Sequence, residues 1–142
     1  MDREMSAREL LEQVRYIDDE VAELRELRAS VWDDLTSTTA RLSQVAVFGS
    51  SDPHRLDAAA KLAVDVDAKL HELAEAKRAA LGVISRLDDS RQRSVLLAYY
   101  VNCRTRDGRR KTWEDVAGEL RYSLRQVHRL RDDGLAAVES WH

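Results

Sequence analysis

The sequence predicts an all-α protein: a long antiparallel helical hairpin with coiled-coil-like spacing, followed by a C-terminal helix-turn-helix domain. Three observations carry that prediction. One proline and five glycines in 142 residues leave few breaks for a β-rich fold. Ala, Leu, Glu and Arg, all good helix formers, recur in long unbroken stretches. Apolar residues return every three or four positions, the interval at which side chains share one helix face. A hydrophobic content of 44% argues against disorder, while 6% aromatic and 35% charged residues leave little for a wide core, so an elongated shape is expected.

The first helix is expected from Ala7 to about Ser43. Leu10, Val14, Ile17, Val21, Leu24, Arg28, Val31 and Leu35 alternate spacings of four and three, a coiled-coil seam with one charged interruption. Leu11, Leu27 and Trp32 flank the seam and widen the apolar stripe. The break at Ala46–Pro53 combines Gly49, two serines, Asp52 and a proline suited to a first helical turn. A second seam follows: Leu56, Ala59, Ala63, Val66, Leu70, Leu73, Lys77, Ala80, Ile84 and Leu87. Two such helices, each about 50 Å long at 1.5 Å per residue, would lie antiparallel. Two helices cannot bury a full core, so the hairpin is expected to pack on the C-terminal domain or on a second copy as a homodimer.

Asp88, Asp89 and Ser90 suit the start of a third helix that ends near Asn102. The basic loop Arg104–Lys111 separates it from a short helix, Trp113–Leu120, with Thr112 as its cap. Arg121 and Tyr122 form a turn, and Ser123 is placed to cap a further helix from Leu124. A short helix, a tight turn and a capped basic helix make the arrangement by which many proteins set a helix in the major groove of double-stranded DNA. The domain boundary is drawn between 1–89 and 90–142.

Charge follows the same division. Residues 90–142 carry eleven bases against seven acids, whereas residues 1–89 carry twelve bases against nineteen acids. A polyanion is drawn to the first set and repelled by the second.

At about 100° per residue, Leu124, Val127, Leu130, Leu135 and Val138 share one broad face of the last helix. Arg125 and Arg129 project from the other side, with Gln126 and His128 on its flanks. Arg pairs with guanine, and Gln with adenine, through two hydrogen bonds each, so these four are the candidate base readers; the competing reading is an ordinary solvated face. Asp132 and Asp133 end the DNA-facing segment by repelling phosphate. Ser123 and Thr112 can donate to phosphate as well as cap. Arg104, Arg106, Arg109, Arg110 and Lys111 read as phosphate or minor-groove contacts, or as a flexible solvated loop.

Asp88-Asp89-Ser90-Arg91, Tyr99-Tyr100, Thr112-Trp113-Glu114-Asp115-Val116-Ala117 and Tyr122-Ser123-Leu124-Arg125-Gln126-Val127-His128-Arg129-Leu130 resemble a phage and prophage family. Its members join a helical hairpin to a helix-turn-helix similar to region four of bacterial sigma factors, and some relatives are called ArpU-like late-transcription regulators. The resemblance implies promoter binding and contact with host RNA polymerase. It makes Thr112–Leu120 the supporting helix and Ser123–Arg131 the recognition helix. Two departures stand out: the loop Arg104–Lys111 is longer than the usual connection, and Arg121 occupies a turn position where glycine is common.

No catalytic, metal-ligating or cofactor constellation is legible. There is no Gly-rich phosphate loop, the four histidines are scattered, and Cys103 has no motif partner. Met1–Leu11 lacks the apolar region of a signal peptide and no apolar run is long enough to span a bilayer, so a bacterial cytoplasmic location with no membrane partner is expected. Two rival readings remain, a phage small terminase subunit and a coiled-coil adaptor whose C-terminal domain binds protein.

Overall fold

The computed structural model describes residues 5–42 and 53–140, with side chains placed for 5–34 and 56–140. It contains α1 (Ala7–Leu42), α2 (Pro53–Ile84), α3 (Ser90–Leu96) running into a π turn (Leu97–Val101), α4 (Trp113–Leu120) and α5 (Leu124–Glu139). No strand occurs among the described residues, and Arg104 and Arg110 form an isolated antiparallel bridge. The expected all-α class is what is observed. The predicted break falls on residues 46–53, of which 46–52 lie outside the described residues; Pro53 opens α2 at the position where its missing N–H costs nothing. The Leu35 side chain also lies outside the described residues.

The start signals are local and chemical. Ser6 Oγ accepts from the Glu9 N–H at 3.1 Å while the Ser6 N–H donates to the Glu9 carboxylate at 3.3 Å, a capping box on α1. Asp89 accepts from the Arg91 N–H at 2.8 Å and caps α3. The same group holds the Asp89 carboxyl below its ordinary range.

The chain folds as two compact units, one made of residues 1–18 and 73–142 and the other of residues 19–72. The first turns of α1, the end of α2 and the segment just after it bury Leu11, Val14, Ile17, Ala80, Ile84 and Leu87, in one compact unit with the C-terminal helices. The Arg8 N–H, one of the unpaired donors at the start of α1, donates to Glu139 at the end of α5 at 2.6 Å.

Within the first unit, Val95, Ala98, Val116, Ala117, Val127 and Leu130 form the centre of the C-terminal cluster, covered by Tyr99, Trp113, Leu120 and Tyr122. Val127, Leu130, Leu135 and Val138 are buried as the periodicity of α5 demands; Leu124, in the first turn, is 36% exposed and lies at the edge of that face. The close approach of α3 and α5 needs Gly134. A Cβ there would sit 3.2 Å from Leu96 Cδ1 and 3.5 Å from Gln92 Cβ, and Leu96 is fully buried. Gly134→Val should therefore destabilise by about 2 kcal/mol through overpacking. Gly118, exposed in α4 with open space around its Cα, should behave oppositely: Gly118→Ala should stabilise by about 0.5–1 kcal/mol by restricting the unfolded chain. Thermal melts of the two variants check both signs.

Within the second unit, Val21 and Val66 are buried, and Glu20 pairs with Lys69 at 3.2 Å. Arg28, Val31 and Trp32 of α1 line a groove together with Leu56, Ala59 and Ala63 of α2. Arg28, the charged interruption of the seam, is solvent-exposed, which removes the cost of a charge at that position. Leu27, Trp32, Leu56 and Val64 are also exposed.

Candidate nucleic-acid interface

Helix α4 opens on a complete capping box. Thr112 Oγ1 accepts from the Asp115 N–H at 3.2 Å and donates to the Asp115 carboxylate at 3.0 Å, and the Thr112 N–H donates to that carboxylate at 2.8 Å. Arg109 places two guanidinium nitrogens on the same carboxylate at 3.0 and 2.9 Å. The Arg109 guanidinium, followed by the Thr112 N–H and hydroxyl, holds the Asp115 carboxyl well below the usual range, and Asp115 in return raises the Arg109 pKa. The folded-state pKa of Asp115 is thus depressed, so its contribution to stability is fully present above about pH 4 and is lost as pH falls towards the folded value. Asp115→Asn should accordingly flatten the fall in stability between about pH 5 and pH 2, as followed by urea melts across that range.

Arg121 ends α4 at φ 61 and ψ 38, the left-handed conformation that glycine usually supplies. Tyr122 N–H donates back to the Ala117 carbonyl at 3.0 Å, closing the turn. Ser123, extended at φ −71 and ψ 155, then caps α5 by accepting from the Gln126 N–H at 3.1 Å. On α5, Arg125 and Arg129 are exposed one turn apart on the same face. Gln126 and His128 are half-buried at its flanks, and the His128 ring meets Trp113 edge-on with centroids 6.4 Å apart. The four proposed base readers therefore share one end of one helix, with the two arginines outermost.

The loop candidates divide. Arg110 is exposed. Lys111 corrects the sequence expectation: it is 5% exposed, its ammonium donates to the Ala98 carbonyl at 3.2 Å and pairs with Glu119 at 2.9 Å. Buried this way, it cannot reach a phosphate. Arg109 remains at the surface, its fork engaged by Asp115. The Thr112 hydroxyl is likewise used within the cap. The loop as a whole is braced: Thr105 N–H donates to the Arg109 carbonyl at 2.7 Å, Gly108 turns at φ 87, and Lys111 N–H donates to the Cys103 carbonyl at 2.9 Å. Arg104 is tied to Asp18 of α1 by an ion pair.

Arg15, absent from the sequence expectations, organises the base of this region. It is 5% exposed and donates to the Tyr99 carbonyl at 2.8 Å and to the Lys111 carbonyl at 2.9 Å, with its guanidinium 3.7 Å from the Tyr99 ring centroid. Tyr99 in turn stacks on Trp113 at 3.6 Å and 7°. The π turn explains the need for these cations. At the end of this helix the carbonyls of Ala98 and Tyr99 lack ordinary helical partners, and Lys111 and Arg15 supply the donors. The signal for Arg15 was present in the sequence: it lies four residues after Leu11 and next to Val14, on the buried stripe.

Cys103 is buried, and burial together with Asp18 pushes its thiol pKa up, away from thiolate chemistry. Among the described residues, no group of His, Cys, Asp and Glu is placed to hold a metal ion, and no helix is long and apolar enough to cross a membrane. No family model, curated protein or solved structure matches the chain.

Proposed function

We propose that this chain is a sequence-specific DNA-binding transcription regulator in which α4 and α5 act as a helix-turn-helix and α5 is the recognition helix. The observation that carries the reading is the α4–α5 connection. A left-handed Arg121 and a Ser123 cap launch α5 with Arg125 and Arg129 outermost in its first two turns, beside Gln126 and His128. Guanidinium forks in that position match guanine edges in the major groove. The basic balance of residues 90–142 supports the same reading through its attraction for phosphate.

The pairing of Glu20 with Lys69, and of Val31 and Trp32 with Leu56 and Ala59, supports an antiparallel hairpin, since positions later in α1 meet positions earlier in α2. The exposed apolar residues Leu27, Trp32, Leu56 and Val64 support self-association through that hairpin as a homodimer. The motifs resembling sigma region four support a role in phage or prophage transcription, with double-stranded DNA and host RNA polymerase as partners.

Selection of bound duplexes from a random pool by the full chain tests the reading. A consensus should emerge, and a two-fold symmetric consensus would accompany a dimer. A bound pool indistinguishable from the input would overturn sequence-specific recognition. Solution mass separates the packaging alternative, because a ring of about eight or more subunits would favour a small terminase, whose rings recognise DNA for packaging, over a dimeric regulator.

A further inference from the structure

The eleven bases of residues 90–142 are not equivalent once the chain has folded. Arg104, Arg109 and Lys111 are taken by Asp18, Asp115 and Glu119. Arg91 and Arg131 pair with the neighbouring Asp89 and Asp132, and Arg93 donates to the Leu87 carbonyl. Arg110 is engaged as well. That leaves Arg106, Arg121, Arg125 and Arg129, all exposed and without a side-chain partner among the described residues. Three of the four fall at four-residue intervals, across the α4–α5 turn and the first two turns of α5.

Arg121 carries a second peculiarity. Among the described residues it is the one non-glycine residue with a positive φ, at φ 61 and ψ 38. A Cβ in that conformation crowds the following carbonyl, so glycine, which has none, would hold the same turn at lower energy. The turn itself uses only the main chain of this residue. The Arg121 N–H donates to the Ala117 carbonyl, as does the Tyr122 N–H at 3.0 Å, and glycine would keep both bonds. Nothing in the connection requires the guanidinium, yet it is carried at a strained position and left free at the surface. Strain of this kind is retained where a side chain serves something beyond the fold.

We propose that Arg121 anchors the interface on the sugar–phosphate backbone, its guanidinium donating to a phosphate at the edge of the groove that α5 enters. The inference rests on the helix-turn-helix reading. In that arrangement the recognition helix fills a major groove about 12 Å wide while the supporting helix crosses the backbone beside it. A cation at the end of α4 then lies over phosphates, and Arg125 and Arg129 lie over base edges. The planar fork suits two phosphate oxygens at once. Phosphate contacts fix register and carry no sequence information, so Arg121 sets how α5 is seated and not which bases it prefers.

Fluorescence anisotropy of the full chain with a selected duplex and a scrambled one, across a salt series, tests the anchor. Arg121→Gly should weaken binding to both duplexes about tenfold and reduce the slope of log affinity against log salt by about 0.9. The ratio between the two duplexes should stay as it is in the parent chain. Arg121→Lys, which keeps the charge, should retain most of the slope. The glycine variant should also melt about 2–4 °C higher, because the left-handed strain is gone. An unaltered slope in Arg121→Gly would overturn the proposal; a lower melting temperature alongside it would give the side chain to the carbonyl end of α4 instead. A fall in the ratio would make Arg121 a base reader, which overturns the phosphate assignment. A parent chain that binds neither duplex defeats the helix-turn-helix reading and the anchor with it, whereas binding by the parent with an unaltered slope in the variant defeats the anchor alone.

Discussion

Arg15→Ala is expected to lower the unfolding free energy by about 3 kcal/mol, the larger of the stability effects anticipated for this chain. The substitution removes two hydrogen bonds from a charged donor, to the carbonyls of Tyr99 and Lys111, and the cation over the Tyr99 ring. Each such bond is worth about 1.5–3 kcal/mol, and the two share one side chain, so their losses do not add fully. Arg15→Lys should recover less than half of the deficit, because an ammonium keeps the charge but not the planar fork that reaches two carbonyls. Urea denaturation followed by far-ultraviolet and near-ultraviolet circular dichroism measures both variants. A loss below about 1 kcal/mol for the alanine variant would mean that water satisfies the two carbonyls equally well.

Replacing Arg125 and Arg129 together by alanine is expected to abolish sequence preference while leaving helicity intact. Both side chains are exposed, and alanine is the better helix former. A bidentate arginine–guanine contact discriminates by about 1–3 kcal/mol, so losing two should reduce the ratio of specific to non-specific affinity by about two orders of magnitude or more. Non-specific binding should persist, since it depends on phosphate neutralisation elsewhere in the domain. Competition binding with the selected duplex against a scrambled one reads the ratio directly. An unchanged ratio would move the reading surface away from α5.

Local features of the C-terminal region were legible in the chain order. Asp89, Thr112 and Ser123 cap their helices because a short oxygen-bearing side chain reaches N–H groups only two or three residues away. The turn at Arg121 was legible as the short gap between Leu120 and the Ser123 cap, and the structure adds that arginine itself takes the left-handed conformation. The buried face of α5 followed from its period, with Leu124 the exception because the first turn of the helix extends past the core.

What failed was judgement of individual cations. Lys111 belongs to a basic run, and such a run reads as a solvated or phosphate-facing surface. Its burial depends on the carbonyl of Ala98 and on Glu119, brought to it by the braced loop and by α4. The Arg109–Asp115 pair was not legible either, because Asp115, six positions away and outside the loop, meets the Arg109 fork only once the loop has folded. Tyr100 and Arg131 come together with Arg8 only through the folding of α1 against the C-terminal helices, and no spacing along the chain announces the cleft they line.

By itself the sequence determined the all-helical class, the start signals of the C-terminal helices and the outward position of Arg125 and Arg129, because these depend on helical period and on contacts within a turn or two. The tertiary structure alone decided that the unit boundary crosses α1 and α2, that Arg15 and Lys111 cap the carbonyls at the π turn, and that Tyr100 lines a cleft with Arg8 and Arg131. Those outcomes join groups separated by tens of residues, and the burial that gives each of them its energy exists only once the helices have packed.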